Sequence, residues 1–320
     1  MPRLSCIIPV VGNTQALETT LVSVLERRPE DCEIIVVLNE HYADPYGLKG
    51  EVRFVDAPGA GMAACATMGI QVSRAPIVHV LAAGMEVADD WTDSALPHFA
   101  DPEVASVIPL IRDSANPERL LAAGVQYRRG GGRRVATNLP DRDSSSQSEA
   151  LGPTIDAAFY RKSALEVLGD GLPINLGDQL ADVDLALGLQ YAGYRTVLES
   201  ESVVFAEELV GSGRSGFRSG LYAERLFLRN LPAFGWLAEF AAHPFIVAGE
   251  LVRSLLRVAT LTQLAGRLTA WFSLSDYRLH HHLLAVARET VVRETAARES
   301  AEPAVIAKLP ELATSDERPV

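Results

Sequence analysis

Leu4 to Val10 is a short apolar run closed by Pro9 and Gly12, the pattern of a strand buried on both faces. Asn13 or Thr14 can cap a helix carrying Leu17, Leu21, Val24 and Leu25, with Glu18 near the first turn. Glu33 to Leu38 and Val52 to Val55 repeat the β-branched run. After the turn Ala57-Pro58-Gly59, residues 61–73 read as a second helix and Ile77 to Leu81 as a further strand. Alternation at this spacing predicts an α/β fold, a mostly parallel sheet flanked by helices. In such sheets ligands bind beyond the carboxyl ends of the strands, where Leu38-Asn39-Glu40 and Ala82-Ala83-Gly84 fall.

Further along, Asp90-Trp91 opens another predicted helix and Val104 to Leu110 another strand. Residues 128–149 are polar and rich in Gly and Ser, a loop too long for a simple connector. A strand over 155–160 and a short helix over 163–168 follow. Leu185, Leu187, Leu189 and Tyr191 then fill a helix that Gly193 can end in the left-handed conformation. Thr196 to Leu198 and Val203 to Phe205 are the last predicted strands. From Phe217 the pattern is helical. Residues 246–272 carry Leu251, Leu255, Val258, Leu261, Leu264, Leu268 and Phe272 at three- to four-residue spacing, with Arg253, Arg257 and Arg267 interleaved. This amphipathic appendage is expected to pack on the sheet domain, with peripheral membrane contact as the alternative. The final residues, rich in Glu, Ala and Pro, read as disordered. The expected organisation is a sheet domain over 1–230, a helical region over 231–299 and a tail over 300–320.

At 320 residues and 48% hydrophobic, the chain can bury one sizeable core and a smaller appendage. A net charge of −12 argues against a nucleic-acid partner, which calls for a basic patch or stripe. Cys6, Cys32 and Cys65 lack metal-ligand spacing and read as buried free thiols of a reducing compartment. No signal core opens the chain and no apolar run reaches eighteen residues, so the expectation is a cytoplasmic protein without a membrane span.

The candidate chemistry centres on Asp182 and Asp184, in Ala181-Asp182-Val183-Asp184-Leu185, read as two carboxylates at the head of a helix. Capping against the helix dipole is the bland alternative to an acid–base site. Other features are weaker. His280-His281-His282 reads as a solvated face rather than a metal site, since adjacent helical residues point apart. Gly59-Ala60-Gly61 lacks the Lys-Ser/Thr of a phosphate loop and reads as a turn. His79 reads as a core histidine, and Gly130-Gly131-Gly132 as a hairpin tip with anion contact as the alternative.

The order of these pieces resembles glycosyltransferase family 2, nucleotide-sugar-dependent enzymes with a GT-A fold, over about residues 4–230. Leu4-Ser5-Cys6-Ile7-Ile8-Pro9-Val10 and Glu33-Ile34-Ile35-Val36-Val37 resemble its first two strands. Residues 78–91 resemble its metal-binding strand and loop, Phe159 to Leu165 its acceptor-side segment, and residues 181–185 its catalytic Glu-Asp-x-Asp-Leu. Departures fall on the donor side. Leu38 and Asn39 stand where the family has Asp followed by Asp or Asn, Gly84 stands at the metal-binding aspartate, Ala181 at the Glu, and Ala206 at a frequent histidine.

The resemblance implies sugar transfer from a nucleotide-sugar donor to a glycan or lipid-linked acceptor, with inversion. Asp182 is then the base and Asp184 orients the acceptor or caps the helix. Pro9, Asn39 and Gly84 would line the donor. A divalent cation, Mg or Mn, usually offsets leaving-group charge in this family, but Gly84 supplies no oxygen and rescue by Glu86 is disfavoured. Asp89 and Asp90 read as the start of a helix. Arg214 and Arg218, in a Gly/Ser-rich loop, can take over the cation's role, the alternative being a solvated loop. The contrasting hypothesis is a catalytically inactive binding or scaffold protein in a surface-polysaccharide pathway.

Overall fold

The computed structural model describes residues 1–12, 14–139, 152–169, 171–209, 216–234, 236–253 and 258–306. Its first half is the predicted alternation: β1 (Leu4–Val10), α1 (Thr14–Arg27), β2 (Cys32–Leu38), β3 (Val52–Asp56), α2 (Met62–Val72) and β4 (Ile77–Leu81). The cap candidate Asn13 lies outside the described residues, while β5 (Glu86–Val87) and β6 (Val104–Asp113) continue the sheet. Then come β7 (Leu120–Ala122), the hairpin β8 (Val125–Arg128) and β9 (Gly132–Val135), β10 (Ala157–Arg161), α3 (Lys162–Leu168), α4 (Gly177–Ala192) and β11 (Arg195–Ala206). The remainder is helical: α5 (Phe217–Arg229), α6 (Trp236–Arg253), α7 (Val258–Ala270) and α8 (Leu274–Ile306).

Nine strands form one sheet in the order β3-β2-β1-β4-β10-β6-β11-β5, with β7 beside β6. β1 pairs in parallel with β2 and β4, and β2 with β3, while β10 runs antiparallel to both β4 and β6. Every residue of β1 and β4 is buried, which is why these strands read as apolar runs without alternation. The chain leaves β1 toward β2 on one side and returns to β4 on the other. Between β1 and β4 the order reverses, and the loops after these strands lie at the edge where sheets of this kind bind ligands.

Several expectations are corrected. Asp90-Trp91 opens no α-helix: this region holds turns and a short 3-10 segment, Leu96–Ala100, and the fully buried Trp91 ring joins the core. The last two predicted strands are one, β11, whose register against β6 shifts between Glu199 and Val203. The loop expected from 128 contains strand β9, and its part from 140 to 151 lies outside the described residues. Helix α4 begins at Gly177, so Asp182 is in its second turn rather than at its head. Gly193 ends it at φ 104°, in the left-handed region as expected. The three cysteines are free and buried.

The C-terminal helices differ most. α8 packs Ala287 and Val291 against Ala192 at the end of α4. Helix α7 crosses α5 at backbone contact. A Cβ built on Gly220 would sit 1.9 Å from the Gln263 carbonyl oxygen, and one on Gly266 would sit 2.0 Å from that of Phe217. Thus α7 packs through Gly266 and Ala270, while Leu261, Leu268 and the following Phe272 face outward. Of the face expected to pack, Leu261, Leu268 and Phe272 are exposed and Leu264 is half-buried. Leu255 and Arg257 of the predicted stripe, and the tail from 307, lie outside the described residues.

Gly266→Ala should therefore cost about 1–3 kcal/mol, since neither backbone can yield cheaply. Gly249→Ala, on α6 with nothing within 4 Å, should be neutral or stabilise by up to about 1 kcal/mol through helix propensity. Urea titrations compare the two. A second prediction concerns His79, fully buried between Trp91 (ring centroids 4.7 Å) and Phe159 (3.9 Å). Burial pushes its pKa down from 6.5 to about 3, against a backbone hydrogen bond at Ala158. Below pH 6.5 the unfolded chain takes up a proton that the folded ring refuses. Stability should fall as pH drops from 6.5 toward 3, by up to about 1.4 kcal/mol per pH unit. This contribution should vanish in His79→Phe, read from unfolding curves at pH 7 and 5.

Candidate functional site

The donor-side candidates converge on the carboxyl edge of β1, β2 and β4. The Asn39 backbone N–H donates to the Val10 carbonyl (3.1 Å), and its carbonyl accepts from Gly59 (3.1 Å). Its side-chain oxygen accepts from the Gly12 N–H (3.1 Å) and its amide donates to the Ala60 carbonyl (3.3 Å). Asn39 thus staples the loop after β1 to the loop after β3. The Ala83 N–H reaches the Pro9 carbonyl at 3.2 Å, tying the β4 turn to β1. Gly84, at φ 97°, donates to the Ala16 carbonyl (3.1 Å) and to Thr20 Oγ1 (2.8 Å). Leu38 is buried.

A divalent cation of the conventional kind finds no fit at this edge. Ala82, Ala83 and Gly84 carry no side-chain oxygen, and no group of three or more His, Cys, Asp or Glu among the described residues is arranged to hold a metal. Glu86 instead faces a groove of about 640 Å³ beside α1, with Glu18, Tyr42 and Tyr46. Asp89 pairs with Arg27 at 2.7 Å.

The two candidate carboxylates of α4 are both buried and both engaged. Asp182 is 1% exposed. Arg133 of β9 grips it, Nε lying 3.2 and 3.0 Å from the two oxygens and Nη2 2.8 Å from Oδ2. The backbone N–H of Ile155 (3.1 Å) and of Val183 (2.9 Å) donate to the same carboxylate. An acid–base site needs an open crevice at this side chain, and among the described residues there is none, because the β8–β9 hairpin lies over it. Burial pushes the Asp182 carboxyl above the usual carboxylate range, against the pull of Arg133 and the two amides. Asp156, fully buried, stands 3.9 Å from Arg133 on its other side.

Asp184 points elsewhere. It accepts from Arg229 (3.4 and 3.0 Å) and from the side-chain amide of Asn230 (2.5 Å), at the end of α5. The acid in the first turn of α4 is Asp178, whose Oδ1 accepts the Ala63 N–H at 2.8 Å at the start of α2. A side chain on Gly61 would collide with it at 2.8 Å. Asp178 therefore joins α4 to the loop that Asn39 staples. Asp182 reaches the same edge through its neighbours: Ile155 bonds it while the adjacent Asp156 carbonyl accepts from Ala82 (2.8 Å).

Of the arginine candidates, Arg218 is exposed on the first turn of α5, next to Phe217 that abuts α7. Arg214 lies outside the described residues. His281 Nε2 donates to the Leu228 carbonyl (2.8 Å) and His280 is half-buried, so only His282 of the three is fully exposed. His280 is pushed down to about 4 by burial, with Arg229 adding to the effect. Sequence reasoning missed Arg133, Arg229, Asn230 and Asp178. A signal for Arg133 existed, since alternation along a short strand after a glycine turn places one of Arg133 and Arg134 inward.

By sequence, no protein-family profile and no curated protein matches the chain. By structure there are clear neighbours. The S. aureus TarS segment 1–349 with UDP-GlcNAc superposes at a TM-score of 0.56 and 14% identity, over 93% of this chain and 92% of that one. The mannosyltransferase PcManGT from Pyrobaculum calidifontis, with GDP-Man and Mn2+, gives 0.50 and 19% over 91% and 87%. GalNAc-T7 with UDP, GalNAc and Mn2+ gives 0.54 and 16% over 71% of this chain, about half (48%) of that one. The fold is that of the GT-A glycosyltransferases. At the carboxyl edge of this GT-A fold the described polar side chains bond to backbone and to one another.

Because Asp182 has no access to water, Arg133→Ala should leave an uncompensated buried carboxylate and cost about 3–5 kcal/mol. The exposed neighbour Arg134→Ala should cost under about 0.5 kcal/mol. Thermal melts of the two variants make the comparison.

Proposed function

We propose that this chain is a nucleotide-sugar glycosyltransferase that transfers a sugar to a glycan or lipid-linked acceptor. The observation supporting this most is the meeting of Pro9, Asn39 and Gly84 with the start of α4 around the strand-order reversal of a GT-A fold. An acceptor hydroxyl would attack the anomeric carbon as the bond to the nucleoside diphosphate breaks, with inversion. Its proton would pass to Asp182, the residue at the family's base position. Arg133 must first withdraw with the β8–β9 hairpin, since it covers both oxygens while the Ile155 and Val183 amides occupy the carboxylate's other sites. With no fitting cation site, Arg218 and Arg214 are the candidates to offset diphosphate charge.

A second reading is favoured by the same grip and by the missing oxygens at Leu38 and Gly84: a non-catalytic binding or scaffold protein of a surface-polysaccharide pathway. Calorimetry with uridine, guanosine and thymidine diphosphates, with and without Mg or Mn, comes first. The transferase reading expects binding to at least one; silence toward all of them under both conditions ends it. Asp182→Asn should then abolish transfer or donor hydrolysis while leaving nucleotide affinity within about twofold. Binding without turnover in the unaltered protein favours the second reading.

A further inference from the structure

In a chain of net charge −12, one edge of the sheet gathers cations. β1 and β4 pair with Leu4 beside Ile77, and β10 and β4 with Arg161 beside Ile77. One step outward, this register sets Arg3, Pro76 and Lys162 in a row across three neighbouring strands. At the spacing of sheet strands the row is about 10 Å wide. The Lys162 backbone N–H donates to the Pro76 carbonyl at 2.9 Å. A hollow of about 610 Å³ opens here, lined by Arg3, Arg74, Arg161 and Lys162, with Glu166 as an acid in its wall. This is the amino edge of the parallel strands. The seven residues of β1 separate it by about 20 Å from the carboxyl edge.

Little of this positive charge is cancelled by direct contact. Arg3 is exposed, and its side chain makes no hydrogen bond or ion pair among the described residues. Arg161 spends Nε and Nη2 on the backbone carbonyls of Val104, Phe99 and Asp101, at 2.9, 2.8 and 2.7 Å. Lys162 Nζ donates to the Ser73 carbonyl at 2.5 Å. Carbonyl dipoles hold a cation in place without neutralising it. Of the four, only Arg74 meets a carboxylate among the described residues. It reaches Glu33 through Nε at 3.0 Å, with 68% of its side chain exposed. A guanidinium has five donors and an ammonium three, so Arg3, Arg74 and Lys162 all keep N–H groups to offer. Guanidinium forks match phosphate oxygens bidentately, and an ammonium meets them as a point charge. An anion with oxygens on two phosphorus atoms can reach several of these groups at once. The hollow has the size of a small-molecule site, and the acidic chain favours no extended polyanion.

We propose that the hollow between Arg3, Arg74 and Lys162 at the amino edge binds a small, multiply charged phosphate of the diphosphate class. The inference does not depend on the glycosyl-transfer reading, whose site lies at the opposite edge. The probe is inorganic pyrophosphate, titrated into the full chain by calorimetry at low ionic strength. One pyrophosphate should bind per chain, more weakly as salt is added. Arg3→Glu should weaken binding by about tenfold or more, at an unchanged melting temperature because that side chain is exposed and unbonded. Arg74→Gln should weaken it in the same direction. Glu166→Gln removes the acid in the wall and should tighten binding by about threefold, a gain that misfolding cannot imitate. Absence of binding to the unaltered protein overturns the proposal, as does an affinity unchanged in Arg3→Glu. Citrate binding as tightly as pyrophosphate overturns the assignment to phosphate. Binding lost in Arg218→Gln but kept in Arg3→Glu places the anion at the carboxyl edge and overturns it as well.

Discussion

Two side chains separated by two positions on an α-helix point about 160° apart, and this constraint on Asp182 and Asp184 governs the molecule. One carboxylate cannot follow the other into a shared crevice. Asp182 turns to the β8–β9 hairpin and meets Arg133, while Asp184 turns to α5 and meets Arg229 and Asn230. Buried charges persist only when paired and hydrogen-bonded. Each carboxylate therefore fixes the position of the element that supplies its arginine. Helix α4 becomes the post to which the hairpin and the C-terminal helices are both fastened.

From α5 outward the same logic repeats with a different acid. Glu224 collects His243, Arg267 and Trp271, and the glycine seam of Gly220 and Gly266 brings α5 and α7 to backbone contact. Small residues on one side and polar residues around one carboxylate leave the large apolar side chains nowhere to go but out. The exposed stripe follows from how the helices are anchored, not from a lack of partners for their polar groups.

At the strand edge the polar groups are spent on backbone and framework bonds. Asn39 spends both ends of its amide on stapling loops, and Gly84 presents only an N–H, already taken by Ala16 and Thr20. The edge keeps the position that the strand order dictates, since β1 and β4 flank the order reversal.

How much was legible follows from the range of the interactions involved. The first four strands and both early helices were readable because their burial is uniform and their periodicity local, as were Gly193 as a helix stop and His79 as a core residue. The likeness to nucleotide-sugar enzymes, too, lay in the order of short segments. Partners separated by many residues left no such trace. Nothing in Asp182 announces Arg133, 49 positions away, nor does Asp184 announce Arg229, 45 away. Periodicity located the stripe through Leu261, Leu268 and Phe272 but not the direction it faces, because a spacing of 3.6 defines a face without saying what stands opposite it. That was decided by a buried glutamate and two glycines that hold the helices by their other side.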